Sequence, residues 1–331
     1  MIYYKNSYKR ALMKRIFCND FKTTIGSYSV GMDCVFQNYF LENNMPEKIT
    51  RMRECLDERS RTYLTVILHR MILLPDMKVQ DNFVIKSSLL ESLQTDQDRD
   101  MIKSFAEALP QIKKDIISNS YEASVFHLHH GLKKLSDKAI AYTDGKDFID
   151  GGAFDGGTAI VLSKYYSPKK IWSFDISSKN IELYNHYLNI NNVETSRYQL
   201  VQKGLGKEKQ EMYFNDTGEP STNLYSDTKD NKCFITDLDS FVSENNLVPG
   251  FIKCDIEGFM LDALEGMAQT IKRHRPILSF AIYHNATEFF ETAPKLYKIV
   301  DDYIITLVSL APFNYCNVEI TIVAYPKEID D

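Results

Sequence analysis

Asp255 and Glu257 stand two residues apart in the run Ile252-Lys253-Cys254-Asp255-Ile256-Glu257-Gly258. In extended chain that spacing turns both carboxylates to one side, and Gly258 beside them lets another group approach closely. His284 follows Ser279-Phe280-Ala281-Ile282-Tyr283, and an imidazole titrates near neutrality. Two carboxylates and an imidazole gathered at one opening could take a proton from a hydroxyl. The two carboxylates could instead hold a divalent cation. The plain structural alternatives are a strand end salt-bridged to Lys253 and a loop histidine bonded to backbone. Unpaired acids at the mouth of a pocket are costly without a task, which favours chemistry at Asp255 and Glu257.

A second stretch is Phe148-Ile149-Asp150-Gly151-Gly152-Ala153-Phe154-Asp155-Gly156-Gly157-Thr158. It reads as a strand end, a tight glycine turn and a helix start, an arrangement that binds nucleotide-like ligands. The dinucleotide fingerprint G-x-G-x-x-G fails here, because the third position from Gly151 or Gly152 is Ala153 or Phe154. The spacing that fits is D-x-G-x-x-x-G, on Asp150, Gly152 and Gly156. It resembles the first motif of class I S-adenosylmethionine-dependent methyltransferases, whose loop wraps the methionine and ribose part of the cofactor. The expected cofactor contacts are Asp150, Gly151, Gly152, Ala153 and Gly156. Asp175 ends the next strand, where a carboxylate can accept both hydrogen bonds of a ribose diol. Gln202 or Lys203, at the end of the third strand, would lie near the base.

These residues need strands to place them. From residue 145 onward short apolar runs alternate with helical patterns. Strands are expected at 147–150, 170–175, 198–202, 251–255, 277–283, 303–309 and 319–325, with helices through 180–185 and about 293–300 between them. Such alternation means a mostly parallel sheet covered on both faces. In such sheets ligands bind outside the carboxyl ends of the strands, where Asp150, Asp175 and Asp255 lie. The last two strands lack a helix between them and read as an antiparallel hairpin. Residues 207–240 read as an insertion with short strands at 212–214 and 233–235 and a loop at 218–223.

The first 120 residues have a different texture, with only Gly26 and Gly31 as glycines. A helix follows Asp57, which suits an N-cap. Tyr63, Val66, Ile67, Arg70, Met71 and Leu74 recur at helical spacing, and Pro75 stops the run. A second helical stretch covers 101–109, with Pro110 as a break or kink. This half cannot bury its apolar faces alone, so it is expected to pack on the other half or on a second copy. Residues 1–120 thus read as a helical region serving as acceptor lid or oligomerisation surface, and 121–331 as the catalytic domain.

The chain has 331 residues, a net charge of −6, and 44% hydrophobic and 25% charged residues. That is ordinary globular composition without the basic footprint of a nucleic-acid partner. Six cysteines at 18, 34, 55, 233, 254 and 316 form no C-x-x-C pair, so reduced thiols in a cytoplasm are expected. The N-terminus lacks the order of a signal peptide, and no apolar run reaches the ~20 residues of a membrane span. His127-Leu128-His129-His130 invites a metal reading, but no acid or cysteine nearby completes a ligand set. A polar run leading into a helix over Gly131–Leu135 is expected instead.

Taken in order, Phe148-Ile149-Asp150-Gly151-Gly152-Ala153, Trp172-Ser173-Phe174-Asp175, Asp237-Leu238-Asp239-Ser240-Phe241 and Lys253-Cys254-Asp255-Ile256-Glu257-Gly258 resemble the FkbM family of methyltransferases. Leu264-Glu265-Gly266 and Pro276 fit as well, and the resemblance covers about residues 145–326. Two positions depart from it. Phe154 replaces the usual Asn after Gly-Ala, and Asp175-Ile176 replaces Glu-Pro. The resemblance implies an α/β, Rossmann-like class I methyltransferase fold: a mostly parallel seven-stranded sheet with an antiparallel last strand. It implies S-adenosylmethionine as cofactor, S-adenosylhomocysteine as product, and O-methylation of a hydroxyl on a sugar, glycan or polyketide-like metabolite. Methyltransferases of nucleic-acid amino groups would end the fourth strand in an N-P-P-Y-like block, which Cys254-Asp255-Ile256-Glu257-Gly258 is not. In this reading Asp255 or His284 acts as base or orients the acceptor and Glu257 holds it. A divalent metal on Asp255 and Glu257 is the second choice. The alternatives to a methyltransferase are an NAD(P)-dependent oxidoreductase and a catalytically silent binding module.

Overall fold

A computed structural model describes residues 39, 43–73, 94–214, 231–311 and 319–330. In chain order, α1 is Met45–Cys55, α2 Glu58–Leu73, α3 Asp96–Asp115, α4 Ala123–Phe126 and α5 Asp137–Tyr142. Next come β1 Asp147–Gly151, α6 Gly157–Tyr165, β2 Ile171–Phe174, α7 Ser178–Ile190, β3 Tyr198–Val201, β4 Gly204–Leu205, β5 Gln210–Phe214 and β6 Asn231–Thr236. The chain continues with α8 Leu238–Glu244, β7 Pro249–Cys254, α9 Met260–Gly266, α10 Ala268–His274, β8 Ile277–Ala281, α11 Ala286–Ile299, β9 Tyr303–Ser309 and β10 Ile320–Pro326.

Seven strands form one sheet in the order β3-β2-β1-β7-β8-β10-β9. β3, β2, β1, β7 and β8 pair in parallel, and β10 runs antiparallel to both β8 and β9. The last strand is therefore the reversed one, as the sequence predicts, and it lies inside the sheet with β9 at the edge. Side chains alternate between the two faces. Phe148, Phe251 and Ile277 share a core with Ala159, Ile160 and Leu188 of α6 and α7. Their neighbours Ile149, Ile252 and Leu278 point the other way, into a core with Leu264, Ile271 and Phe289 of α9, α10 and α11. Burial on both faces explains why these strands read as unbroken apolar runs.

The N-terminal helices join this core. Met52 of α1 and Leu64 and Ile67 of α2 are buried in the cluster that holds Ile149 and Leu278. Asp57 accepts from the Ser60 N–H at 2.7 Å, which satisfies an orphan donor at the start of α2. The same turn covers the exposed side of β9. The Asp57 N–H donates to the Ile305 carbonyl at 3.0 Å, the Leu307 N–H to Ser60 Oγ at 2.7 Å, and Thr306 Oγ1 to Asp57 Oδ2 at 2.6 Å. Covering an edge strand in this way removes a template for unwanted pairing.

Some boundaries differ from the sequence reading. α3 runs on through Pro110 to Asp115 rather than ending near residue 109. A capping box between Thr95 and Asp98 starts it, and tertiary packing of Met101, Ile112 and Ile116 holds it. α7 and α11 are longer than the apolar patterns suggest. The short strands of the insertion are β5 and β6, which form a separate three-stranded sheet with β4. Leu74, Pro75 and the 218–223 loop lie outside the described residues. Among the described residues no helix is long and apolar enough to cross a membrane, and Cys55, Cys233 and Cys254 are free thiols.

Candidate active site

A cavity of about 330 Å³ opens at the carboxyl ends of β1, β2, β7 and β8. On the β2 side its wall is Asp175, Ile176, Asn180, Lys203, Gly204 and Leu205. Gly152, Ala153, Phe154 and Asp155 form its middle. Across β1, the wall is Lys253, Asp255, Glu257, Tyr283 and Glu319. Ser120, Glu122, Ser124, Phe126 and His130, from the chain ahead of β1, close the remaining side.

The glycine turn is held from three directions. Gly152 has φ +78°, and a Cβ built on it would sit 1.8 Å from the Asp255 carbonyl oxygen. The Asp255 N–H donates to the Gly151 carbonyl at 3.0 Å. Lys253, only 4% exposed, donates from Nζ to the Gly152 carbonyl at 2.7 Å and lies 3.2 Å from Asp150 Oδ1. Burial works against the charge on Lys253, but Asp150 and Asp255 outweigh it and keep the ammonium charged. Asp150 is fully buried and does not line the cavity, and neither do Gly151 and Gly156. Their place in the structure is behind the turn. Gly156, at φ +83°, is the residue from which α6 departs.

Asp175 lines the cavity at the end of β2. Its Oδ2 accepts from the Phe154 N–H and its Oδ1 from the Ser177 N–H, both at 2.9 Å. Asn180 Nδ2 adds a donor at 3.3 Å to Oδ1 and at 3.4 Å to Oδ2, and together these bonds fix the carboxylate at the cavity wall. The cap of α7 is Ser177, which accepts from the Asn180 N–H at 3.1 Å. Lys203 lines the cavity. Gln202 does not; its exposed side chain donates to Ser178 Oγ at 3.1 Å.

The structure brings Asp255, Glu257 and His284 together. His284 Nε2 is 3.0 Å from Asp255 Oδ1 and 3.7 Å from Glu257 Oε1, and Nδ1 is 3.4 Å from Glu288 Oε2. Asp255 and Glu257 face the cavity, whereas the His284 side chain, 8% exposed, sits behind them. Burial pulls the imidazole towards its neutral form, but Asp255, Glu288 and Glu257 outweigh it and push His284 well above its ordinary range. Burial likewise opposes the charge on Asp255, yet His284 and then Lys253 hold its carboxyl below the usual range. Burial pushes Glu257 up to about 7 against the pull of His284. The sequence reading offered His284 as a base. Three carboxylates around the buried imidazole favour its protonated form, which suits it less to taking a proton than to a place beside Asp255 and Glu257.

Several lining residues escaped the sequence reading. Tyr283 donates to Glu319 Oε1 at 3.2 Å and touches Asp255 Oδ2 at 3.5 Å. Glu319 has φ +60°, a left-handed backbone that a non-glycine residue rarely takes. Burial, then Asp255 and Glu122, push its carboxyl up. No local pattern marks Glu122 or Glu319. His130 did lie in a noticed run, the histidines at 127–130. That run is buried rather than a polar lead-in, and each histidine has its own partner. His127 meets Ser104 at 3.0 Å, His129 meets Tyr166 at 2.9 Å and His130 meets Thr158 at 2.8 Å.

Burial holds His129 down to about 4 and His130 down to about 3. Both are therefore neutral in the fold, while the unfolded chain takes up their protons below about pH 6.5. Their contribution to stability is complete above pH 6.5 and is lost as the pH falls towards 4. The stability advantage of the wild type over His130→Gln is expected to shrink on acidification. The slope is up to roughly 1.4 kcal/mol per pH unit, measured by urea unfolding at pH 7 and pH 5. A constant difference between the two proteins would refute this.

Comparison with known proteins places this geometry. Residues 150–307 match the methyltransferase FkbM domain. The methyltransferase FkbM from Methylobacillus flagellatus KT superposes with a TM-score of 0.55 at 18% identity, over 85% of this chain; the chain spans 59% of that protein's length. An rRNA methylase from Streptococcus thermophilus gives 0.40 at 16% identity, covering 64% of this chain and 99% of its own. An O-methyltransferase from Bacillus cereus, in complex with SAH, gives 0.39 at 14% identity, covering 75% of this chain and 95% of its own. No curated protein matches the sequence. The order β3-β2-β1-β7-β8-β10-β9, its reversed last strand and the matched domain agree: residues 150–307 carry the sequence pattern of a methyltransferase FkbM domain on a class I methyltransferase fold.

Proposed function

We propose that the protein methylates a hydroxyl on a sugar, glycan or polyketide-like acceptor, with S-adenosylmethionine as the donor. The observation that carries this reading is that the glycine turn and the acid pair are in direct backbone contact, Gly152 against Asp255, at one cavity. The fit to the cofactor is supported by the donor set. Asp175 would take the ribose diol. Lys203, Gly204 and Leu205 would border the base. Gly152 and Ala153 would border the methionine part.

When bound, S-adenosylmethionine supplies a sulfonium methyl group that leaves with its bonding electrons on sulfur. The chain's own residues position the acceptor and take its proton, because in-line displacement depends mainly on placement. Asp255 and Glu257 face the cavity and can accept a hydrogen bond from the acceptor hydroxyl. Glu257 is the more open of the two, at 32% exposure, and takes the proton as the oxygen is methylated. His284 acts through these carboxylates as a positioning residue. The ring of Tyr283, bonded to Glu319, limits the depth of the acceptor side.

The region 1–120 is proposed as an acceptor lid, with 121–331 as the catalytic domain. Among the described residues of that region only Ser120, at the junction, lines the cavity, while α1 and α2 pack on β9 and the core, so an oligomerisation role stands beside the lid.

S-adenosylhomocysteine is expected to bind in calorimetric titration and NAD is not; binding of NAD alone would end the reading. Asp175→Ala is expected to weaken S-adenosylhomocysteine by roughly 1–3 kcal/mol through the lost hydrogen bonds. Labelled methyl transfer to a panel of sugars, glycans and polyketides tests the acceptor. Products methylated only on amines would overturn the O-methyl assignment.

A further inference from the structure

We propose that Asp255, Glu257 and His284 form a binding site for a divalent transition cation, with Glu288 as the carboxylate that orients the histidine. One ligand atom from each of the three residues can be chosen so that all lie within 4.8 Å of one another. Two carboxylate oxygens and one imidazole nitrogen suit manganese, iron or zinc better than magnesium or calcium, which favour oxygen alone.

Proximity among acids would not be enough. The second observation is the state of the buried histidine. Its side chain is 8% exposed, yet neither ring nitrogen makes an aligned hydrogen bond, and Asp255 Oδ1 is also without one. Nε2 lies 3.0 Å from Asp255 Oδ1 and 3.7 Å from Glu257 Oε1, near enough to ion-pair and badly aimed for N–H donation. Buried polar atoms left in this way call for an explanation. A cation placed among the three would displace the Nε2 proton and take Nε2 and Asp255 Oδ1 as ligands, leaving the Nδ1–H to Glu288.

The surroundings match what a metal-bound histidine needs. Such a histidine uses its other ring nitrogen to donate to a carboxylate, which fixes tautomer and ring orientation. Here Nδ1 faces Glu288 Oε2 at 3.4 Å, and Glu288 is itself held, since its Oε1 accepts from the Met260 N–H at 2.7 Å. Glu288 sits in the first turn of α11, whose cap Asn285 accepts from the Glu288 N–H at 2.9 Å. Asp255 and Glu257 line the cavity, so open coordination positions would face the acceptor. A cation there would lower the pKa of a bound hydroxyl. That catalytic task rests on the methyl-transfer reading, whereas the binding site does not.

The test uses the full chain stripped with chelator and titrated with manganese chloride, without cofactor or acceptor. Calorimetry is expected to show one equivalent bound in the micromolar range. His284→Gln should weaken it at least tenfold. Glu288→Gln should weaken it by roughly tenfold to a hundredfold, the usual effect of losing such an outer carboxylate. Pulsed electron paramagnetic resonance on the wild type needs no variant and should show nitrogen coupling to the bound manganese. No binding at millimolar manganese, binding without nitrogen coupling, or binding indifferent to His284→Gln would each overturn the site. Manganese binding by a protein that ignores S-adenosylhomocysteine leaves the site standing and removes the methyl-transfer reading. The converse result removes the site alone.

Discussion

Gly152→Ala is expected to weaken cofactor binding severely and to destabilise the fold by about 2–5 kcal/mol. Two penalties add. A non-glycine residue at φ +78° costs roughly 1–2 kcal/mol. The added methyl must also displace the Asp255 carbonyl, 1.8 Å away, and forced overpacking costs typically 1–3 kcal/mol. The backbone that must yield carries Asp255 itself and is bonded to Gly151. The damage therefore spreads from the cofactor turn to the acid pair. Affinity for S-adenosylhomocysteine should fall at least a hundredfold, read by calorimetry alongside urea unfolding. Gly145→Ala is the control, because Gly145 has φ +68° but nothing within 4 Å of a built Cβ. It should show only the backbone strain, with cofactor binding intact. Near-native affinity in Gly152→Ala would show that the turn does not need glycine.

Arg70→Met should destabilise the protein by about 3–5 kcal/mol, the range for breaking a buried ion pair from one side. Arg70 and Asp98 are 2% and 4% exposed, with 2.5 Å between Nη2 and Oδ2. The pair ties α2 to the start of α3, where the same carboxylate accepts from the Thr95 N–H at 2.7 Å. Methionine fills much of the volume but strands Asp98 without its cation. Asp98→Asn in the same chain keeps an acceptor for Thr95 and removes the stranded charge, so the double variant should recover part of the loss. Chemical unfolding of the two singles and the double measures this coupling. Additive losses would mean that the pair acts as two separate groups.

The sheet was legible because its strands are buried on both faces. Phe148-Ile149, Phe251-Ile252 and Ile277-Leu278 are continuous apolar pairs that face opposite cores. The fold class followed from the resemblance of the motifs that end them, while the order across the sheet came only with the structure. The ends of elements were less legible, since α3 passes Pro110 on the strength of packing that no local pattern records. For the site, position along a strand was readable and direction was not. Asp150 ends a strand as Asp175 and Asp255 do, yet it turns inward to Lys253. Lys253 entered the sequence reading only as the salt-bridge alternative for Asp255 and Glu257, whereas its ion pair is with Asp150. That it would also grip the Gly152 carbonyl depends on a register no single strand reveals. His284 sat correctly beside the acids, but Glu288, four residues on, joins Asp255 in holding its charge. Glu122 and Glu319 reach the cavity from segments almost 200 residues apart, and only the folded chain joins them.

The two walls of the cavity belong to different lengths of chain. Asp175 and the Lys203–Leu205 stretch come from β2 and the small sheet, all before residue 206, while Asp255, Glu257, Tyr283 and Glu319 come after residue 250. On the proposed reading, mutational drift in the second stretch would alter which acceptors are taken and leave the contacts assigned to the cofactor in place. Gly152 is the exception, because it presses on the second wall directly. Attempts to retarget such an enzyme should vary Glu319, Glu122 and Tyr283 and leave the Gly152–Asp255 seam untouched.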